Sequence, residues 1–172
     1  MRGFFAGLIL GIVLLPAAAF LFIWLGHAPV ATAAPPLPLE RKLAGMALRA
    51  RIEREAPKSS PVPVAEVNLI AGARTYREYC AVCHGTAGEP RTATAKGMFP
   101  RPPQLLQGKG VTDDPVGETY WKAANGIRLT GMPAYRGSLN DDQLWQVSQL
   151  LANADKLPQS ARAILQAPAS AH

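Results

Sequence analysis

Cysteine occurs twice in the chain, as Cys80-Ala81-Val82-Cys83, with His84 directly behind. Three chemistries use such a pair. A redox dithiol needs its first thiolate at a helix N-terminus after a strand, whereas the apolar periodicity here puts Cys80 at the end of a helix with no strand nearby. A structural zinc site needs four ligands, and beyond Cys80, Cys83 and His84 the chain offers only His27 and His172, both in terminal segments. The third chemistry is covalent attachment of haem. In a Cys-x-x-Cys-His run the two thiols add to the porphyrin vinyl groups and the adjacent imidazole binds the iron from the same side. A plain disulfide is the undemanding alternative. The spacing favours haem, with Cys80 and Cys83 as its thioether residues and His84 as an iron ligand.

An iron held by His84 leaves a second axial position to fill. The methionines are Met1, Met46, Met98 and Met132. Met1 and Met46 lie outside the expected folded segment. Met98 follows His84 by only 14 residues, in a loop that must first travel around the cofactor's edge. Met132 follows by 48, between Gly131, which permits unusual backbone, and Pro133, which stiffens it. A buried methionine is more often ordinary packing. Here no other residue closes the site, so Met132 is the expected second ligand. Histidine opposite methionine raises a haem potential and closes both axial positions, which suits single-electron transfer rather than oxygen or substrate binding.

These residues need helices to hold them. Leu69, Ile70, Ala73, Tyr76 and Tyr79 recur at helical steps, predicting a first helix over 67–80. A second is predicted to start at Asp114 as N-cap, with Pro115 in the first helical position and Gly126 as a left-handed stop. The third is the best signed. Asn140 and Gln143 make a capping box, Leu139 and Leu144 a hydrophobic staple, and Leu144, Val147, Leu150 and Leu151 a buried stripe with Trp145 beside it. No run alternates as a strand, so the fold expected is all-α. Two long loops, 85–113 and 127–139, separate these helices. Loops of such length in a compact domain are uncommon and usually functional.

Upstream, residues 4–25 hold 19 hydrophobic residues out of 22, and no charged residue stands between Gly3 and Leu39. As a helix this run reaches about 33 Å, enough to cross a hydrocarbon core of about 30 Å. A cleaved signal peptide ending at Ala31-Thr32-Ala33 competes, but the run is longer than the ~7–15 residues of a signal core. The expectation is therefore a retained transmembrane anchor over 1–27, oriented by Arg2 with its N-terminus in the cytoplasm. Residues 28–64, with seven prolines between 28 and 63, are expected to be a linker without a core of its own. A short basic amphipathic helix is predicted within it over 39–55. The folded domain is expected over 65–157 and a flexible tail over 158–172.

The chain's 172 residues carry a net charge of +6, but its distribution removes a nucleic-acid reading. Residues 1–64 hold 7 basic and 3 acidic residues, whereas 65–160 hold 10 and 9. The folded part is nearly neutral and lacks the electrostatic footprint of a nucleic-acid binder.

The chain resembles the class I monohaem cytochromes c, of the small bacterial type with a membrane anchor. The resemblance rests on Gly72-Ala73-Arg74-Thr75-Tyr76 leading into Cys80-Ala81-Val82-Cys83-His84-Gly85, on Pro100-Arg101-Pro102-Pro103-Gln104-Leu105 and on Asn125-Gly126-Ile127. Gly131-Met132-Pro133-Ala134-Tyr135 and Leu144-Trp145 complete it. It implies a small all-α fold around one covalently bound haem c, with axial ligands His84 and Met132. A proline carbonyl, from Pro100, Pro102 or Pro103, would accept the histidine's other ring proton. It also implies a crossing of first and last helices at Gly72 and Leu144 or Trp145. Trp121, Tyr135 and Arg128 are candidates for haem propionates, and Lys96, Arg101, Lys109 and Arg136 lie in loops expected near the exposed haem edge. The function implied is a periplasmic electron carrier in a respiratory chain, tethered to the inner membrane. It is expected to be a shuttle or the haem subunit of a dehydrogenase or oxidase, with redox proteins as partners and no catalytic residues of its own. A haem enzyme or gas sensor with a labile methionine is the alternative.

Overall fold

The computed structural model describes residues 2–107 and 113–167, and every regular element among them is helical. The chain divides into two units, Met1–Leu43 and Ala44–His172. In the first unit α1 (Arg2–Trp24) is long and apolar enough to cross a membrane, and its large side chains from Phe4 to Trp24 are exposed. Pro16 lies inside it. Helix α2 (Glu40–Glu55) begins in this unit, where the Glu40 carboxylate accepts from the Leu37 amide at 2.8 Å, and continues into the second.

The second unit is built on α3 (Glu66–Thr75), α6 (Val116–Asn125), α7 (Asp141–Ala152) and α8 (Gln159–Gln166), with α7 packed against both α3 and α6 and with α8 against α3. Between α3 and α6 run a π-helical turn (Tyr76–Cys80), the short α4 (Ala81–His84) and the short α5 (Ala93–Gly97). Leu69, Ala73 and Tyr76 meet Val147, Leu150 and Leu151 in one core cluster. Tyr120, Ala123 and Ala124 meet Leu139, Leu144 and Trp145 in another, where the Tyr120 and Trp145 rings stack 4.0 Å apart.

The α3–α7 crossing depends on Gly72, where a Cβ would run into the Gln146 carbonyl and the Leu150 side chain. Helix α7 begins as its sequence dictates. Asn140 accepts from the Gln143 amide at 2.9 Å, Gln143 accepts from the Asn140 amide at 3.0 Å, and Leu139 and Leu144 are both buried.

Four expectations need correction. The first helix is not continuous over 67–80: it leaves α-geometry after Thr75, and the wider π-turn re-aims Cys80 and everything that follows. The second helix starts at Val116 with Pro115 as its N-cap, one residue later than expected, and the Asp114 carboxylate instead takes the Lys122 ammonium at 3.2 Å.

Residues 44–64 are not a bare linker. Ile52 is only 3% exposed, Val62 joins the Tyr120–Trp145 cluster, and the buried Gln149 amide donates to the Val62 carbonyl at 3.0 Å. Trp121 Nε1 donates to Glu55 at 3.1 Å, and the Pro57 carbonyl lies against Gly117. A prolyl segment with few apolar residues has docked because its scattered apolar side chains and open carbonyls find partners on α6 and α7. Nor does the folded part end at 157. Helix α8 packs on α3 and buries Ala161 and Leu165 in the same core cluster as Leu157 just before it, and Arg77 donates to the Ile164 and Ala167 carbonyls at its C-terminal end. Satisfying those last carbonyls with a guanidinium stabilises a helix end that has no glycine stop.

Candidate functional site

A cavity of about 430 Å³ opens in the second unit, and its wall contains all four residues singled out by spacing: Cys80, Cys83, His84 and Met132. The two thiols are half-buried and not bonded to one another. Around them the lining is mainly apolar, with Leu105, Ala123, Ile127, Val147 and Leu151 drawn from the loops, α6 and α7. Among the described residues no three His, Cys, Asp or Glu side chains gather as a metal site. His172 lies outside the described residues, as does Lys109.

Local folding explains how each group arrives. The π-turn delivers Cys80 to the cavity wall, and α4 carries Cys83 and His84 one turn further on. Gly85 ends α4 at φ 73°, and its carbonyl accepts from the fully buried Tyr76 hydroxyl at 2.7 Å. That bond ties the end of the cysteine segment to the start of the π-turn. Thr92 Oγ1 donates to the Val82 carbonyl at 2.6 Å, fixing the segment from its other side.

His84 Nδ1 lies 2.8 Å from the Pro103 carbonyl. A carbonyl only accepts, so Nδ1 carries the proton and the Nε2 lone pair is left for a metal. Burial lowers the imidazole's pKa, outweighing the Pro103 bond that favours the charged form, and so holds the ring neutral as a ligand must be. Of the three prolines in that loop, the structure selects Pro103. The Pro102 carbonyl is taken by the Arg91 guanidinium at 2.6 Å. Burial, with a smaller contribution from Cys83, pushes the Cys80 thiol up to about 12.

Met132 is presented by a loop pinned to the end of α6. Tyr135 and Arg136 amides donate to the Ala123 and Ala124 carbonyls at 3.0 and 3.3 Å, and the Ile127 amide donates to the Met132 carbonyl at 3.2 Å. Inside the loop Thr130 Oγ1 donates to the Ile127 carbonyl at 2.6 Å and accepts from the Met132 amide at 3.1 Å. Gly126 is required here. Its φ is 67°, and a Cβ would stand 2.7 Å from both the Pro133 carbonyl carbon and the Ala134 nitrogen. Met98 also lines the cavity, with its methyl group against Gly131.

The remaining candidates separate. The Tyr135 hydroxyl donates to the Tyr79 carbonyl at 2.8 Å, and the Trp121 indole is engaged by Glu55. Neither is aimed at the cavity as a donor, and Arg128 and Trp121 are absent from its wall. Thr119 and Lys122, on the same helix, do line it. The sequence reading passed over both, although their spacing from Ala123 places all three on one face of α6. Arg101 lines the cavity as well, whereas Lys96 and Arg136 do not.

The residues present fit a haem. The wall is mainly apolar, two thiols and one neutral imidazole come from adjacent positions, a thioether comes from a separate loop, and Thr119 Oγ1 is a buried hydroxyl with no hydrogen-bond partner among the described residues.

Residues 67–151 match the family described as cytochrome c oxidase, cbb3-type, subunit III. The chain is 31% identical over 105 residues to a thiosulfate dehydrogenase of Stutzerimonas stutzeri, an alignment that takes in 60% of this chain and 33% of that protein. The chain thus spans about a third of the length of the curated relative it matches. Among solved structures, a chain of the Kuenenia stuttgartiensis reducing HAO-like protein complex aligns with TM-score 0.49 and 23% identity, covering 58% of this chain and 49% of that one. The helical segment carrying the Cys-x-x-Cys-His run is a class I c-type cytochrome domain, a family whose cofactor is haem c and whose work is electron transfer.

Proposed function

We propose that the chain is a membrane-tethered periplasmic cytochrome that passes single electrons in a respiratory chain. Its one haem c is held through thioethers at Cys80 and Cys83, with His84 and Met132 as axial ligands. The observation that carries this reading is the convergence of those four side chains on one apolar cavity, with the His84 ring oriented by Pro103. Bound there, the haem supplies a one-electron couple, its potential raised by methionine ligation. The protein's part is to keep His84 neutral and fixed, to hold the Met132 loop on α6, and to keep water from the apolar wall.

Helix α1 supports the tether, since its length and its unbroken apolar, exposed surface suit a lipid environment. Tethering confines the domain near the membrane and raises its effective concentration for membrane-bound redox partners. The matched thiosulfate dehydrogenase supports a domain that serves a dehydrogenase or oxidase, as a subunit or a shuttle. No residue of the chain is assigned a catalytic role. Closed axial positions set this reading above a haem enzyme or sensor.

The test is mild-detergent extraction of native membranes, affinity purification through a C-terminal tag, and identification of proteins that stay with the haem-staining band. Copurification of a dehydrogenase or oxidase in fixed ratio makes this a dedicated subunit, and recovery of the cytochrome alone from membranes makes it a tethered shuttle. Recovery from the soluble periplasm overturns the tether. A band that fails to stain for haem overturns the cofactor assignment.

A further inference from the structure

Among the described residues, three buried serine and threonine hydroxyls sit on the helices of the second unit, and two of them behave alike. Thr75 Oγ1 donates back to the Ala71 carbonyl at 3.2 Å and Ser148 Oγ to the Leu144 carbonyl at 2.7 Å, each one turn earlier. This is the usual way for a helix to satisfy such a group. Thr119 on α6 does not do so. It is 7% exposed, its Oγ1 has no partner among the described residues, and it lines the cavity. An unpaired buried hydroxyl is costly and calls for an explanation, of which a ligand that completes it is one. One turn further along α6, Lys122 also lines the cavity. Its ammonium is held by Asp114 at 3.2 Å and Glu118 at 3.5 Å, and its side chain is 25% exposed.

We infer that Thr119 and Lys122 form the polar end of the cavity and receive one carboxylate of the bound porphyrin, the Thr119 hydroxyl donating to it and the Lys122 ammonium supplying the opposing charge. The inference rests on the haem reading above. An iron porphyrin is a flat apolar body carrying two propionates, so a cavity that is apolar apart from a few groups must turn those groups toward the propionates. Thr130 and Tyr135, the other hydroxyls in the wall, already donate to the Ile127 and Tyr79 carbonyls. Arg101 reaches the wall from an exposed position, where it is not desolvated as Thr119 is. Asp114, which itself lines the cavity, and Glu118 also carry negative charge toward Lys122; both are about one-third or more exposed, so solvent weakens their repulsion of an arriving carboxylate. Asp114 acts as a positioning residue that keeps the ammonium at the cavity wall.

The test compares Thr119→Val, Thr119→Ser and Lys122→Met with the wild-type haem protein by resonance Raman of the propionate bending band and by redox titration at one pH. Valine keeps the shape of threonine and removes its hydroxyl, so it leaves the fold intact. The expected result is a shifted propionate band in the valine variant and a lower midpoint potential, because a less neutralised carboxylate favours the ferric state. The size corresponds to about a three- to tenfold change in the ferrous-to-ferric ratio at fixed electrode potential, only part of the roughly 10- to 150-fold that one hydrogen bond to a charge is worth, because the carboxylate is charged in both oxidation states. Lys122→Met lowers the potential further, and Thr119→Ser restores both signatures. A haem-loaded valine variant that matches wild type in band and potential overturns the inference and leaves the haem reading standing. A wild-type chain that carries no covalent haem overturns both.

Discussion

Replacing Ile52 by alanine tests whether the segment after the apolar helix belongs to the cytochrome domain. Leu48, Ile52 and Glu55 fall at helical steps of four and three, so they share one face of α2. Leu48 lines the cavity, Ile52 is 3% exposed, and Glu55 accepts from Trp121 on α6, all consistent with that face being turned to the domain. Truncating a buried isoleucine to alanine removes its transfer free energy and leaves a cavity, at about 2–5 kcal/mol. Because α2 lies at the edge of the unit and can settle inward, the lower part of that range is expected, about 2–3 kcal/mol. In a unit of this size 1 kcal/mol moves Tm by roughly 3–5 °C, so the variant should melt about 6–15 °C below wild type. The assay is thermal unfolding of the haem-loaded protein, followed by far-UV circular dichroism and by haem absorbance. Met46→Ala on the same helix serves as the control, because Met46 is 53% exposed and exposed substitutions stay within about 0.5 kcal/mol. Equal melting of the two variants would refute the docked helix and return 44–64 to a free linker.

Two further outcomes follow from the core. Gly72→Ala forces a methyl group against the Gln146 carbonyl, so urea unfolding should show a loss of about 1–3 kcal/mol despite alanine's better helix propensity of about 1 kcal/mol; an unchanged midpoint would mean the helices cross elsewhere. Tyr76→Phe leaves the Gly85 carbonyl unpaired and should cost about 1–3 kcal/mol. Burial, with a smaller effect of Cys80, raises the Tyr76 pKa above its ordinary 10.0, so its contribution is complete below pH 10 and is lost as the pH rises beyond it. Alkaline unfolding of wild type should therefore steepen above about pH 10, and the phenylalanine variant should lack that component.

How far the sequence carries depends on whether a feature is local. The capping box at Asn140, the stop at Gly126 and the grouping of Cys80, Cys83 and His84 are set by neighbours a few residues apart, and all three stand where spacing puts them. Met132 was reached by elimination and arrives at the same cavity through a loop whose backbone bonds to α6 no sequence pattern announces. What escaped was decided at long range. Val62 is a lone apolar residue among prolines, so no periodicity marks it, and only its contact with the Tyr120–Trp145 cluster makes it core, while Ile52 stands among charged residues that give no sign of its burial. Helix α8 was hidden in an alanine-rich stretch whose Ala161 and Leu165 gain meaning only against α3. Trp121 and Tyr135 looked like propionate donors by type, but Glu55 and the Tyr79 carbonyl, distant in sequence, claim them, while Thr119 stands unpaired at the cavity.

The most direct test of the central claim is the carbon monoxide difference spectrum of the reduced haem protein, wild type beside Met132→Ala. With His84 and Met132 both on the iron, wild type should be inert to carbon monoxide, and the variant, still covalently haem-loaded, should bind it readily because the position held by the thioether is open. A wild-type protein that binds carbon monoxide, or a variant as inert as wild type, would contradict the Met132 assignment and the closed-site electron carrier built on it.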